Sequence, residues 1–341
     1  MAIEAAHEQI EPPRRPPRPP RVAVPTGACD AHAHVFAPAG VYPYADGRPY
    51  TPAPGTDLAA YRGMLQALGI ERAVLVHSSI YGPDNRATTD ALAAVAGAFR
   101  GVALVRPEID DADLQALAAA GMRGIRINPE FPGEAGLAEV EVMAARLAEL
   151  GWHLQMLVQA ERLPEIATRL RALPIDVVID QMGLPTPERG LETEGMRAML
   201  ALLESGRSWV KLSAPYHAES GPPDYAFAAA VAGRPLAARP DRMLFGRNWP
   251  HPDSSPPPDE GDLIEWLASV TGDAGLRRVL VDNPAALYGF APPRARRRGH
   301  SDPAESTFAR HARRATKPGA KPSAKVSAPG IRDRRRARRG C

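Results

Sequence analysis

The sequence is organised around Asp30-Ala31-His32-Ala33-His34, a stretch of polar and small residues followed by Val35-Phe36. Side chains alternate between the two faces of a β-strand, so a strand here places His32 and His34 on one face with Asp30 beside them. Two neighbouring imidazoles can hold a metal, donate to a substrate oxygen or move protons. The alternative interpretation is the solvent-facing side of a half-exposed strand.

Eight short apolar runs are separated by segments with helical spacing. Strands are predicted at 30–34, 73–76, 102–106, 124–128, 152–157, 177–181, 209–213 and 243–248, and helices at 58–68, 84–99, 110–121, 137–150, 161–173, 192–205, 224–238, 259–270 and 273–288. This alternation indicates an α/β fold with a parallel sheet, and eight units allow it to close into a (β/α)8 TIM barrel. A doubly wound open sheet is the alternative, but no Gly-rich phosphate loop follows the first strand.

Polar residues concentrate at the ends of these apolar strands. In a closed barrel the carboxyl ends converge on one mouth, where such enzymes carry out their chemistry. We therefore expect a site built from polar residues at these ends, with some of them serving only as hydrogen-bond partners between strands. The candidates are His32, His34, Ser79, Arg106, Arg126, Gln155, Gln181, Ser213 and Asn248.

The two ends of the chain differ in composition from its body. Residues 292–341 hold 16 Lys/Arg against 3 Asp/Glu, and residues 1–28 hold 4 Arg against 3 Glu. Because the whole chain has a net charge of +3, residues 29–291 carry a net charge of −11. We predict one barrel domain at 29–291, a Pro/Arg-rich lead at 1–28 that is disordered or wraps the surface, and a disordered basic tail at 292–341. A solvated extension is the favoured interpretation of the tail, with weak nucleic-acid contact as the second.

Other features limit the class of protein. The chain has no run of eighteen apolar residues, so no membrane span is predicted, and no secretory signal is recognisable at its start. Cys29 and Cys341 have no metal-like or redox-like neighbours, which fits a cytoplasmic protein. The Pro-, Gly- and Tyr-rich segment 37–56 is predicted to be a long functional or disordered loop.

Several motifs resemble the amidohydrolase-related (amidohydrolase 2) family, and within it the 2-pyrone-4,6-dicarboxylate lactonase-like hydrolases. They occur in the family's order and span about Cys29 to Phe290. The motifs are Cys29-Asp30-Ala31-His32-Ala33-His34-Val35-Phe36, Tyr42-Pro43-Tyr44-Ala45-Asp46, Tyr50-Thr51-Pro52 and Phe245-Gly246-Arg247-Asn248-Trp249-Pro250-His251-Pro252.

The resemblance implies a (β/α)8 hydrolase that acts on a dicarboxylated lactone without an essential metal or other cofactor. Histidines of the first and sixth strands would polarise the carbonyl, an aspartate after the eighth strand would be the base, and arginines would hold the carboxylates. Carried over to this sequence, these roles give His32, His34 and Asn248 as catalytic positions. The substrate-binding positions are Tyr50, Ser79, Arg126, Gln181 and His217.

Three of these positions depart from the family pattern. Gln181 stands in place of a histidine, Asn248 in place of the aspartate, and His217 in place of an arginine. An amide can orient water but cannot take its proton near neutral pH. Metal-using relatives place a divalent ion on the same His-x-His, but two nitrogen ligands fall short of the three protein ligands usual for catalytic zinc, so no metal is expected.

Three functions remain open from the sequence. The favoured one is a hydrolase of altered chemistry acting on a carboxylated lactone or cyclic ester or amide, with its base at His217, Asp180, His251 or Asp253. For two of these a structural role is the alternative, with Asp180 facing a helix and His251 capping a turn. The second function is a catalytically silent barrel that binds an anionic small molecule. The third is a nucleic-acid-associated protein that works through its tail.

Overall fold

A computed structural model describes residues 8–127, 136–218 and 225–292. Eight strands form one parallel sheet, and each pairs with the next along the chain. They are β1 Cys29–Ala33, β2 Arg72–Val76, β3 Phe99–Ala103, β4 Met122–Ile127, β5 His153–Met156, β6 Val177–Ile179, β7 Ser208–Ser213 and β8 Met243–Gly246. The predicted eight-strand order is therefore confirmed, although Asn128 of the predicted fourth strand lies outside the described residues.

Helices follow the strands and cover the outside of the sheet. They are α1 Leu58–Leu68, α2 Arg86–Ala93, α3 Asp111–Ala119, α4 Leu137–Glu149, α5 Leu163–Ala172, α6 Glu194–Glu204, α7 Ala226–Ala238, α8 Glu260–Arg277 and α9 Asn283–Tyr288. Helix α1 shows how the sequence sets its ends: the Asp57 side chain accepts from the Ala60 N–H at its start, and Gly69 ends it at φ 73°.

The sheet closes where β8 meets β1. The backbone N–H of Asn248 donates to the His32 carbonyl at 2.9 Å, and the N–H of His34 donates to the Trp249 carbonyl at 2.8 Å. A Cβ at Gly246 would lie 2.3 Å from the His32 Cβ, so only glycine permits this approach. The (β/α)8 barrel is confirmed, and the open-sheet alternative is wrong.

Two predicted helix boundaries were wrong. The helix expected at 84–99 ends at Ala93, because Ala96 and Gly97 adopt left-handed backbone angles (φ 48° and 82°), and β3 then begins at Phe99 instead of 102. The two helices expected at 259–270 and 273–288 are instead one segment to Arg277, bent at Gly272 (φ 62°), followed by a π-helical turn and α9.

The Asp30 side chain does not share the face of the two histidines, although its Oδ1 accepts from the His32 backbone N–H at 3.3 Å. The pairing of β1 with β2 shifts register between Asp30 and Ala33, which breaks the simple alternation of faces. The Asp30 carboxylate instead accepts from the Arg247 guanidinium at 2.9 Å and from the Tyr61 hydroxyl at 2.7 Å, in the layer between strands and helices. It therefore stabilises the barrel and takes no part in the mouth.

The described part of the lead, 8–28, lies against the barrel. The Ile10 N–H donates to the Thr51 carbonyl at 3.0 Å, and Arg18 pairs with Glu265 at 2.7 Å and with Asp262. These are the contacts of a segment that wraps the surface. The predicted basic tail lies outside the described residues beyond Pro292, and no described helix is long and apolar enough to cross a membrane.

Candidate active site

One cavity of about 240 Å³ opens at the carboxyl ends of the strands. All eight predicted site residues line it, although they come from six different strand ends and one loop. They are His32, His34, Tyr50, Ser79, Arg126, Gln181, His217 and Asn248. The barrel thus brings together positions that are more than two hundred residues apart in sequence.

His32 and His34 form one wall, with ring centroids 5.1 Å apart in an edge-to-face arrangement. The Nδ1 of His34 lies 2.8 Å from the Val76 carbonyl oxygen, and an oxygen acceptor there requires that Nδ1 carry the proton. Burial lowers the pKa of His32 and lowers that of His34 well below its usual value. Burial therefore favours the neutral form of both rings.

A buried ion pair lies behind His32. Lys211 on β7 places its Nζ 3.3 Å from the Asp180 Oδ1, 2.6 Å from the Gln155 Oε1 and 3.3 Å from the His32 Nδ1. Burial alone would raise the pKa of Asp180, but the Lys211 ammonium holds it well below its usual range. Asp180 faces the barrel interior, so the alternative in which it faces a helix is wrong.

Lys211 is a site residue that sequence reasoning missed. It occupies the middle of the apolar strand Trp209-Val210-Lys211-Leu212-Ser213 and is fully buried. A lysine in the middle of a buried strand was the available signal, because such a charge requires an interior partner.

Arg126 supplies a buried cation to the cavity. Its side chain is 8% exposed, and its Nη1 donates to the His77 carbonyl at 3.2 Å. Its Nε has no hydrogen-bond partner, and no carboxylate of the described residues forms an ion pair with it. A guanidinium in this state is suited to an anionic ligand.

The loop at 37–56 forms another part of the cavity wall and is held to the barrel. The Ala45 N–H donates to the Ile80 carbonyl at 2.7 Å, and the Tyr50 hydroxyl lies 3.2 Å from the Ser78 Oγ. Of the loop tyrosines considered from sequence, Tyr50 lines the cavity, whereas Tyr44 packs on Tyr81 and Tyr42 bonds Asp90 outside it. The loop thus contributes one tyrosine to the site.

The two amide positions are held by unusual backbone conformations. Asn248 and Gln181 have φ of 62° and 50°, and each side chain is almost fully buried. The Asn248 Nδ2 donates to the Tyr216 hydroxyl at 3.1 Å. The carbonyl oxygen of Asn248 can therefore accept from a water molecule, but it cannot remove the water's proton.

The residues considered as displaced bases fall into two groups. His217 and Asp253 line the cavity, with the His217 Nε2 3.7 Å from the Asp253 Oδ2. His251 is held outside the cavity lining, between the Tyr216 hydroxyl at 3.2 Å and the Glu260 carboxylate at 3.0 Å. A role for His251 as the direct base is therefore excluded by its position.

Not every strand-end polar residue reaches the mouth. Arg106 is exposed and lines a separate groove of about 700 Å³ beside α2 and α3, so its placement in the mouth was wrong. It follows the end of β3, which is Ala103, and has already left the sheet. Gln155 and Ser213 are fully buried beneath the cavity.

The donor set does not fit a divalent metal. Within 8–127, 136–218 and 225–292, no three His, Cys, Asp or Glu side chains are arranged to hold one. The Lys211 ammonium lies 3.3 Å from His32, and Asp180 is already paired with it. A cation beside His32 would meet this positive charge.

Comparisons with known proteins show the family to which the sequence and the barrel belong. The sequence model of the amidohydrolase family matches residues 29–290. The chain is 37% identical to a 2-pyrone-4,6-dicarboxylate hydrolase of Comamonas testosteroni (80% of this chain, 93% of that protein) and 33% identical to a 4-sulfomuconolactone hydrolase of Hydrogenophaga intermedia (80% and 91%). A ligand-free crystal structure from Agrobacterium tumefaciens superposes with a TM-score of 0.73 at 29% identity, over 80% of this chain and 99% of that one. The chain therefore belongs to the amidohydrolase family.

Proposed function

We propose that this protein hydrolyses a lactone, or a related cyclic ester or amide, that carries a carboxylate. Two relatives above 30% identity are named as hydrolases of acidic lactones, a dicarboxylate and a sulfonate. The cavity of about 240 Å³ suits a small ring of this kind.

The observation that carries this proposal is the state of Arg126. A guanidinium that is 8% exposed, with its Nε unpartnered, faces a cavity lined by histidines, amides and the carboxylates of Asp180 and Asp253. Among the described residues, no carboxylate forms an ion pair with Arg126. Leaving a buried charge without a counter-ion is costly, and a substrate carboxylate supplies that counter-ion. Tyr50, Ser79, Gln181 and His217 line the same cavity and provide hydroxyl, amide and imidazole contacts for the rest of the ring.

We further propose that the chemistry is altered and independent of metal. Asn248 orients the attacking water without deprotonating it, and Gln181 donates to the substrate without becoming cationic. The proton of the water then passes to another cavity group, a histidine ring nitrogen or the Asp253 carboxylate. The poor fit of the donor set to a divalent cation supports metal independence.

The second candidate is a barrel that binds the same anion without turning it over. It is favoured by the two amides, which remove the usual base and one electrophile from the site. The two candidates are separated by measuring, with a pH-stat in chelator-treated buffer, whether the protein hydrolyses lactones that carry one carboxylate. Chelator-resistant turnover supports the hydrolase, whereas saturable binding with no turnover supports the silent barrel.

A further inference from the structure

Lys211 is unusual in the sequence as well as in the structure. Of the 42 Lys and Arg residues it is the one lysine before Lys317, and the others among the first 316 positions are arginines. A lysine differs from arginine in offering three donors from one compact nitrogen. The single lysine of the barrel lies where three acceptors converge.

Those acceptors differ in the contact they make with Lys211. Gln155 Oε1 at 2.6 Å and His32 Nδ1 at 3.3 Å meet the geometry of a hydrogen bond. Asp180 Oδ1 lies 3.3 Å from the ammonium and 3.4 Å from the His32 Nδ1, yet it has no hydrogen-bond partner among the described residues. The Asp180 contact is therefore an ion pair, and His32 Nδ1 is left to accept from Lys211.

An Nδ1 that accepts a hydrogen bond carries no proton, so the proton of neutral His32 lies on Nε2. His34 is in the opposite state, because its Nδ1 donates to the Val76 carbonyl at 2.8 Å and its Nε2 is left with the lone pair. The charged and titratable groups around His34 are His32, Arg126 and Asp180. Two adjacent histidines of the cavity thus present one donor and one acceptor.

Resting on the proposed function, we infer that Lys211 is a positioning residue that fixes His32 as the hydrogen-bond donor to the lactone carbonyl, leaving His34 as the proton acceptor. As water oxygen bonds to the carbonyl carbon, its proton passes to the His34 Nε2, and the carbonyl oxygen becomes an oxyanion held by the His32 Nε2–H. When the ring C–O bond breaks, the leaving oxygen takes the proton from His34. One water is consumed, and both histidines return to their starting states.

Ring-nitrogen NMR of the wild-type protein labelled with ¹⁵N-histidine tests this directly, because protonated and unprotonated ring nitrogens resonate far apart. The two rings are assigned from the signals lost in His32→Gln and His34→Gln. We expect His32 to show a protonated Nε2 and His34 a protonated Nδ1. A protonated Nδ1 on His32, or the same tautomer on both rings, overturns the inference whether or not lactones are hydrolysed.

Lys211→Met provides the second arm. Without the ammonium, Asp180 is the acceptor left at His32 Nδ1, so we expect His32 to change tautomer and kcat to fall about 10²-fold or more with KM nearly unchanged. Asp180→Asn is the matched comparison, since it removes charge from the same network but keeps Lys211, and should retain the wild-type tautomer. An unchanged His32 tautomer in Lys211→Met contradicts the inference; should that variant not fold, the wild-type spectrum decides.

Discussion

The side-chain amide of Asn248 donates to the hydroxyl of Tyr216 at 3.1 Å, and that hydroxyl in turn lies 3.2 Å from the Nδ1 of His251. The Asn248 amide is therefore fixed by a hydrogen-bonded chain that continues through His251 to Glu260 at 3.0 Å. This chain holds the amide in one orientation, with its Nδ2 engaged and its oxygen able to accept from water. Under the proposed function, another group of the cavity therefore takes the proton of the water.

Asn248→Asp is expected to increase lactone hydrolysis. A carboxylate at this position restores a strong base, and general base catalysis contributes about 10²–10⁴-fold. The gain should appear in kcat, and activity should rise with pH as the introduced carboxyl ionises. Asn248→Ala, which removes the water-orienting amide without adding a base, is the matched control and should lower kcat. A higher kcat in that control would show that the larger cavity, and not a new base, increases hydrolysis.

Arg126→Gln is expected to raise KM for a carboxylated lactone about 10–100-fold, the range for loss of a charge-assisted hydrogen bond worth ~1.5–3 kcal/mol. For a neutral lactone of the same ring size, the same substitution should change KM little. Arg123→Gln is the matched control, since Arg123 lies on the same strand but bonds the Ala118 and Met122 carbonyls. Equal increases in KM for the charged and the neutral lactone would contradict carboxylate binding by Arg126.

Asp30→Asn should reduce the free energy of unfolding by about 3–5 kcal/mol, because it breaks a buried pair and leaves Arg247 poorly compensated. Both side chains are fully buried, and Glu260, 3.3 Å from Arg247, is the remaining partner. Urea denaturation measures the loss. Asp57→Ala, which removes an exposed helix cap, should reduce the free energy of unfolding by about 1 kcal/mol. Comparable reductions in the two variants would argue against a buried ion pair at Asp30.

Stability should fall as pH decreases below about 6.5. Burial lowers the pKa of His77 to about 4 and that of His153 to about 3, so between these values and the ordinary pKa the unfolded chain binds more protons than the folded one. Each such histidine makes the unfolding free energy drop by about 1.4 kcal/mol per pH unit in that interval. In His153→Leu the slope of the unfolding free energy against pH should be smaller by the contribution of one proton, about 1.4 kcal/mol per pH unit. An unchanged slope would show that His153 is already protonated in the folded protein.

Truncation after Pro292 should leave the melting temperature nearly unchanged. The removed segment is rich in Arg, Lys, Pro and Ala and has too few apolar residues to offset the entropy of ordering. Deletion of residues 8–21 is a useful contrast, because Ile10 is buried and Arg18 pairs with α8, so that deletion should lower the melting temperature. A loss of several degrees on tail truncation would contradict the prediction.

The barrel could be predicted from sequence because it depends on periodicity, and so could the strand-end residues His32, His34, Ser79, Arg126, Gln181 and Asn248 of its mouth. Tyr50 and His217 followed from the family resemblance instead, and Arg106 was wrongly included. Apolar runs separated by helical segments specify the strand order, and residues just after each run converge wherever the sheet closes. Asp30 could not be placed, since a register shift within β1 changes the face of a side chain without a signal in composition. Lys211 was missed for a related reason: its role depends on three acceptors from β1, β5 and the end of β6, which only the closed barrel assembles.

The most direct test of the proposed function is the rate of hydrolysis of a lactone bearing one carboxylate, measured in chelator-treated buffer for the wild type and for the double variant Asn248→Asp, Gln181→His. We predict slow, saturable turnover by the wild type that is unaffected by the chelator, and a rate at least tenfold higher in the double variant, in line with the contribution of a restored base. Tight binding of the lactone with no turnover in either protein would contradict the hydrolase and establish the silent barrel in its place.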